Sequence, residues 1–548
     1  MIHQIATTNV SRAEWRWVII FGGLLVAITL LPYAWAVTSS AGDTGAQFMG
    51  ILYNPQDGAT YLSKIRQGEQ GASQWHLAHT PEPHDGAFLQ VFYLLLGHLA
   101  RLLGLSPLLM FHVARLVTSF MMYIAIYHLG STIWQRMRPR RLFFGMLAIG
   151  SGLGWLALVV TRNVNDLAVD LTIPEAIPLY ATFVNPHFPL TIGLIALLAS
   201  MFVVVFRPGF DAEPTATNGG GSVALISLAI SLIQPQGWLP IAASLCAYLV
   251  VLAVRARRIP RLELNWVLLV ILPALPVLIY YLATVNINTA MRVWNEQNQT
   301  PSPAPLLYVI GFGLLLVVAL PGVWRALRRF ERDGDRFMLV WLAVNAALLY
   351  APFNLQRRLA IGLIIPIVYF GVRALEDYWF QVISPRWRDA VLLTFFVFIV
   401  PSNVIAFGLP LVGVADQEAG IDRMLLLPNG YADAIRWLAR NAPSEAVVLA
   451  PSGPSLWIPA YTNLRVVYGH PFETLNAADK QAAVTAWYHG DGCRELVAQY
   501  AVQYVLARAV SPDDPEPGWP QACLTALALD QPIQTFGDVH LFQLPPAR

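Results

Sequence analysis

Residues 54–71, NPQDGATYLSKIRQGEQG, are the stretch on which the fold turns. Asn54 is a good N-cap, and Pro55 suits the first turn of a helix. Gly58, Tyr61, Leu62, Ile65, Gly68 and Ala72 recur at helical spacing, with Lys64, Arg66, Gln67 and Glu69 opposite. This pattern predicts a short amphipathic helix on a membrane surface, ended by Gly71. Asp57 lies three residues after the cap. It either closes a capping box and complements the helix dipole, or turns its carboxylate toward a membrane domain to do chemistry there.

A membrane domain is what the composition demands. The chain has 548 residues, 56% hydrophobic and only 12% charged. A soluble protein of this length carries about twice that charged fraction. The net charge of +2 gives no electrostatic case for nucleic acid, and three cysteines exclude a disulfide-rich scaffold. The first apolar segment, 18–37, is too long for a signal peptide and reads as a retained anchor.

Basic loops set the topology. Arg12 and Arg16 precede the first span and predict a cytoplasmic N-terminus. Residues 38–105 then lie outside, with the 88–103 helix, interrupted by His98 and Arg101, interfacial rather than spanning. Arginine clusters at 136–141, 255–261 and 325–329 alternate with polar outer loops. A hairpin at 223–254 breaks at Gln234-Pro235-Gln236-Gly237, and a linker at 208–222 precedes it. Counting this way gives an α-helical polytopic protein of about eleven transmembrane helices. The transmembrane domain covers 1–415, including the outer loop 38–105. An extracytoplasmic α/β domain covers 420–548. Its expected elements are helices at 431–441, 476–488 and 494–500, and strands at 446–450, 464–468, 502–507 and 539–543. Cys493 and Cys523 both fall in it, either as a disulfide or as two free buried thiols.

Ionisable groups at membrane depth are costly, so those at the outer ends of spans are candidates for function. Three sets converge there. Asp57 stands with Glu82, His84 and Asp85; Asn185-Pro186-His187 opens the fourth span; Arg357-Arg358 opens the tenth. An arginine pair grips phosphate through forked hydrogen bonds, and a carboxylate beside it can act as a general base. The bland alternatives are snorkelling interface arginines and a satisfied helix-start histidine. His76, His79 and His84 match no standard metal-ligand spacing. There is no phosphate-binding loop, GxSxG elbow or dinucleotide fingerprint.

The acidic amphipathic helix directly after span one, the outer-face residues, the many spans and the outer α/β tail together resemble the C-type (GT-C) integral membrane glycosyltransferase superfamily. The chain looks most like protein O-mannosyltransferases and lipid A aminoarabinose transferases. The resemblance implies that Asp57, in DGATYLSKIRQG, is catalytic. Glu82-Pro83-His84 before the apolar helix is similar to the family's Glu-Lys-Pro-like segment, and Gln356-Arg357-Arg358-Leu359 to its Arg-Tyr motif. Gln234 to Gly237 corresponds to its Thr-Lys-Gly break, and VNPHF to the place of its second acid. The expected lysines are replaced by His84 and Gln236, and that second acid is absent from VNPHF.

The function so implied is transfer of a sugar from a polyprenyl-phosphate-linked donor to a glycan, lipid or protein acceptor on the outer face of the plasma membrane. Asp57 would take the acceptor proton. Arg357, Arg358, His84, Asn185, His187, Glu82, Tyr61 and Gln236 would bind the lipid phosphate and substrate, with or without a divalent cation. The rival expectations are a transporter or lipid-linked-glycan binding protein, or a degenerate transferase kept as a scaffold.

Overall fold

The computed structural model describes residues 10–40, 45–163, 166–205, 219–329, 334–509 and 519–545. Residues 208–218 of the expected linker lie outside them. The chain forms two compact units. The first comprises residues 1–30, 113–281 and 299–408; the second comprises 31–112, 282–298 and 409–548.

The first unit is helical. Among the described residues of the whole chain, eight helices are long and apolar enough to cross a membrane. There are nine if the bent pair Met137–Ile149 and Gly154–Thr161 counts as one span. The count falls short of eleven at two places. The helices at Gly220–Ile233 and Asp335–Leu348 have 14 residues each. At 1.5 Å per residue that is about 21 Å, short of the roughly 30 Å of a hydrocarbon core. The bend in the pair is held by Asp170. Its Oδ2 accepts hydrogen bonds from the backbone N–H groups of Gly152 at 3.0 Å and Gly154 at 3.1 Å. Asp170 thus supplies the N-terminal cap that the second half-helix needs.

In the second unit the amphipathic helix forms at Pro55–Glu69. It packs on the Val91–Leu103 helix, whose 13 residues span about 20 Å, too short to cross a bilayer. The crossing is made by glycines. A Cβ on Gly97 would sit 2.1 Å from the Ile65 carbonyl oxygen, and one on Gly68 2.3 Å from that of Leu94. Only hydrogen fits at either position, so the two backbones touch.

Lys64 departs from the expected polar face. It is 2% exposed, and its Nζ donates to Glu473 Oε1 at 2.9 Å and to Gln90 Oε1 at 2.6 Å. The ammonium also lies 4.3 Å from the Trp75 ring centroid. Helical spacing placed Lys64 opposite the apolar stripe. Glu473, 409 residues away in sequence, supplies the counter-charge that makes its burial tolerable.

The C-terminal residues form a five-stranded sheet. Strand β1 (Ala46–Phe48) pairs antiparallel with β2 (Leu426–Pro428) in a separate two-stranded ribbon. Strands β3 (Val447–Leu449), β4 (Arg465–Val466), β5 (Val502–Arg508), β6 (Gln534–Phe536) and β7 (Val539–Gln543) follow. The sheet order is β4-β3-β5-β7-β6, with β3 parallel to β4 and β5, and β7 antiparallel to β5 and β6. Leu449, Val505 and Phe542 from the strands and Trp487 from the Ala477–Tyr488 helix share its core. Cys493 and Cys523 are disulfide-bonded. Residues 45–105 join the C-terminal residues through the β1–β2 ribbon, the Lys64–Glu473 pair and a hydrogen bond from His79 Nε2 to the Leu456 carbonyl. That is why their contacts cluster with the C-terminal residues.

Candidate functional site

The candidate residues divide between the two units, and each group has its own geometry. In the second unit Asn54 adopts a left-handed conformation with φ 52° and opens the Pro55–Glu69 helix. Its Oδ1 accepts from the Asp57 backbone N–H at 3.4 Å, and its Nδ2 donates to Asp57 Oδ2 at 2.6 Å. Asn54 thus caps the helix through the Asp57 N–H, and its amide also bonds the Asp57 carboxylate in place of the backbone N–H that a capping box would use. This holds the half-buried Asp57 carboxylate in one orientation at the positive end of a helix dipole. Tyr61, one turn on, is buried and stacked on Tyr93 with ring centroids 4.1 Å apart.

Glu82 and His84 are held by their own surroundings. Burial works to raise the Glu82 carboxyl, but hydrogen bonds from Lys480 and Thr80 outweigh it and keep Glu82 below the usual carboxylate range. Lys480 Nζ donates to Glu82 Oε2 at 2.7 Å. His84 Nε2 accepts from the Leu77 N–H at 2.9 Å, and its Nδ1 lies 2.9 Å from the Glu82 carbonyl oxygen. Burial lowers its pKa, so the neutral ring with Nδ1–H donating fits both contacts. Both ring nitrogens are committed to the 77–84 loop. His84 thus helps to build that loop.

The first unit brings together the other two sets. The turn Gln356–Ala360 carries Arg357, exposed, and Arg358, half-buried. It is anchored by Arg357 N–H to the Thr300 carbonyl at 3.1 Å, by Ser302 N–H to Gln356 Oε1 at 3.1 Å, and by Asn345 Nδ2 to the Leu359 carbonyl at 2.6 Å. This turn packs on the Pro174–Ala176 turn and on the Pro235–Ala256 helix. The His187–Val205 helix in turn packs on both of those. Four elements thereby close a ring.

On that ring sits Glu175, 4% exposed, an acid the sequence placed only in an outer loop. Burial and Glu175 push the Tyr180 phenol up to about 12, with Arg357 opposing, so both charges act at one place. The usable signal was an isolated acid among apolar neighbours, Ile173-Pro174-Glu175-Ala176-Ile177, just outside a span.

The same ring holds polar groups with no partner among the described residues. Asn185 is fully buried, and neither its Oδ1 nor its Nδ2 is hydrogen-bonded. The same is true of both amide atoms of Gln234 and of the Thr191 hydroxyl. Thr191 and Gln234 meet across Gly237, where a Cβ would lie 2.7 Å from Thr191 Cγ2 and 3.6 Å from Gln234 Cδ. Each buried orphan costs about 1–3 kcal/mol unless water or a ligand satisfies it. Gln236, the residue singled out in sequence, is half-buried, and Gln234 is the buried one. His187 is 4% exposed and starts the helix.

Among the described residues no group of three or more His, Cys, Asp or Glu is placed to hold a metal ion. No protein-family model and no curated protein sequence matches the chain. Solved structures do. The Archaeoglobus fulgidus oligosaccharyltransferase in complex with Zn and sulfate is similar over 90% of this chain and 68% of its own, at 12% identity and a TM-score of 0.53. ArnT from Cupriavidus metallidurans in the apo state is similar over 98% of this chain and 100% of its own, at 13% identity and a TM-score of 0.51. The arabinofuranosyltransferase AftD from mycobacteria is similar over 99% of this chain and 40% of its own, at 13% identity and a TM-score of 0.50. With its many apolar helices and C-terminal sheet, this chain is a multi-pass membrane protein with the GT-C glycosyltransferase fold.

Proposed function

We propose that this protein is a glycosyltransferase that moves a sugar from a polyprenyl-phosphate-linked donor to an acceptor on the outer face of the plasma membrane. The N-terminus is then cytoplasmic and the C-terminal sheet domain extracytoplasmic, as the arginine-rich loops require. The observation that carries the reading is the ring in the first unit. It sets an arginine pair beside a buried glutamate and uncompensated amides, on a fold shared with glycosyltransferases.

Asp57 acts as general base on the acceptor hydroxyl, and the bond from Asn54 holds its carboxylate in place for that role. Arg357 and Arg358 stabilise the negative charge that develops on the departing lipid phosphate. Asn185, His187 and Gln234 offer hydrogen bonds to the donor, and the apolar helices house its polyprenyl chain. Glu175 orients the arginines or meets charge developing on the sugar. Glu82 and Tyr61 support the helix and loop that carry Asp57, and Gln236 lines the approach. No step is assigned to a metal ion.

The test is turnover of labelled polyprenyl-phosphate sugars by purified protein in detergent, comparing wild type with Asp57→Asn and with Arg358→Ala. The expected result is turnover lost in Asp57→Asn with donor binding retained, and donor binding weakened at least tenfold in Arg358→Ala. Full turnover in Asp57→Asn removes the base. Donor binding by wild type with no transfer to any acceptor class would favour a carrier of lipid-linked glycans instead.

A further inference from the structure

The second unit contains a partly open cavity of about 270 Å³, lined by both polar and apolar groups, that none of the roles above uses. One wall is the Pro55–Glu69 helix, through Ser63, Arg66 and Gln67. Another is His76 and its neighbours, and a third is the segment from Thr462 to Arg465. On a helix of 100° per residue, Arg66 lies half a turn round from Asp57, so the cavity is on the opposite side of the helix.

Three features give it a chemistry. First, Arg66 carries a charge without a carboxylate bonded to it. Its Nε donates to Asn463 Oδ1 at 3.1 Å, and its two Nη groups make no hydrogen bond or ion pair among the described residues. Burial lowers its proton affinity and Glu69, one turn on, only partly opposes this, so the guanidinium is desolvated and under-compensated. Second, the other charges on the wall cancel. Arg465 Nε donates to Glu445 Oε2 at 2.6 Å, and its Nη1 to the Pro81 carbonyl at 3.3 Å. Third, the wall amides are spent on each other. Gln67 exchanges two bonds with the His76 backbone at 3.0 and 2.8 Å, and Gln70 donates to Asn463 Oδ1. That leaves the buried Ser63 hydroxyl and the His76 ring, neither hydrogen-bonded among the described residues, on the same cavity wall as the Arg66 fork.

A planar fork with its Nη1/Nη2 edge open, a hydroxyl and an imidazole form a receptor for an oxyanion. The cavity's volume limits what carries it. We infer that this cavity binds an oxyanion borne on a group no larger than one sugar residue, a carboxylate or a phosphate, at a site separate from Asp57.

Titration calorimetry on the full-length protein in detergent tests this, with D-glucuronate, glucose 6-phosphate and glucose as probes. Saturable binding of either anion, with none of glucose, is expected. Whether glucuronate or glucose 6-phosphate binds identifies the oxyanion as carboxylate or phosphate. Arg66→Met should weaken binding at least tenfold and Ser63→Ala several-fold. Asp57→Asn should bind as wild type. A falling affinity with rising salt in the wild type supports the same site without any variant. Absence of saturation by both anions up to about 10 mM overturns the inference. So does binding that is unchanged in both Arg66→Met and Ser63→Ala, or lost in Asp57→Asn.

Discussion

The Lys64–Glu473 pair should couple the helix that carries Asp57 to the C-terminal sheet domain more strongly than any other single contact there. Side-chain exposures are 2% and 9%, so screening by water is small. Lys64→Met leaves Glu473 buried without its counter-charge and also removes the donor to Gln90 Oε1. Breaking such a pair costs about 3–5 kcal/mol, and Glu473→Gln strands Lys64 at a similar cost. If the two acted independently, the double variant would lose about 6–10 kcal/mol. Because the second change removes a charge already stranded, we expect about 1–3 kcal/mol instead, a coupling of at least about 3 kcal/mol. The assay is native-state hydrogen exchange on the full-length protein in detergent, following amides of residues 55–69 and 470–476. Each single variant should speed exchange there by roughly 10² to 10⁴-fold, and the double variant by far less. Additivity within about 0.5 kcal/mol would refute the reasoning, because it would mean Lys64 and Glu473 are each solvated alone.

Acid should loosen the same region. His79 and His470 are buried with ring centroids 5.9 Å apart, and burial pulls their pKa values down to about 4 and about 3. Both are therefore neutral when folded, whereas an unfolded histidine takes a proton near pH 6.5. Stability is full above that pH and falls as pH drops through 6.5 toward 4, by roughly 4 kcal/mol between pH 7 and 5 for the two together. Thermal melts of wild type and His470→Gln over that range check this, with a smaller acid loss expected in the variant. Gly97→Val should fail to keep the Pro55–Glu69 and Val91–Leu103 helices in contact, since even a Cβ meets the Ile65 carbonyl oxygen at 2.1 Å; limited proteolysis between residues 72 and 90 would report it. Reducing Cys493–Cys523, which closes 30 residues, should cost about 3–4 kcal/mol and lower the melting temperature of the sheet domain, and an unchanged melt under reductant would contradict that.

Local chemistry in the sequence determined much of this. Long apolar runs between arginine clusters made a polytopic membrane protein unavoidable, because neither signal needs distant partners. Asn54, Pro55 and Asp57 specified a helix start, and the helix does begin there, with the Asn54 side chain accepting from the Asp57 N–H. The period-two and helical patterns after residue 421 located most of the α/β tail. What tertiary structure decided is wherever a residue's meaning depends on something remote. Lys64 reads as a solvated surface charge until Glu473 and Trp75 arrive to bury it. His84 reads as a free ligand until the Leu77 amide takes its lone pair. Glu175 reads as one loop acid among several until its turn packs on that of Arg357 and Arg358, while Asp170 nearby is consumed in capping a bent helix. Pattern and propensity are properties of neighbours in sequence; burial and charge compensation are set by neighbours in space, and it is these that separate a structural carboxylate from a candidate site one.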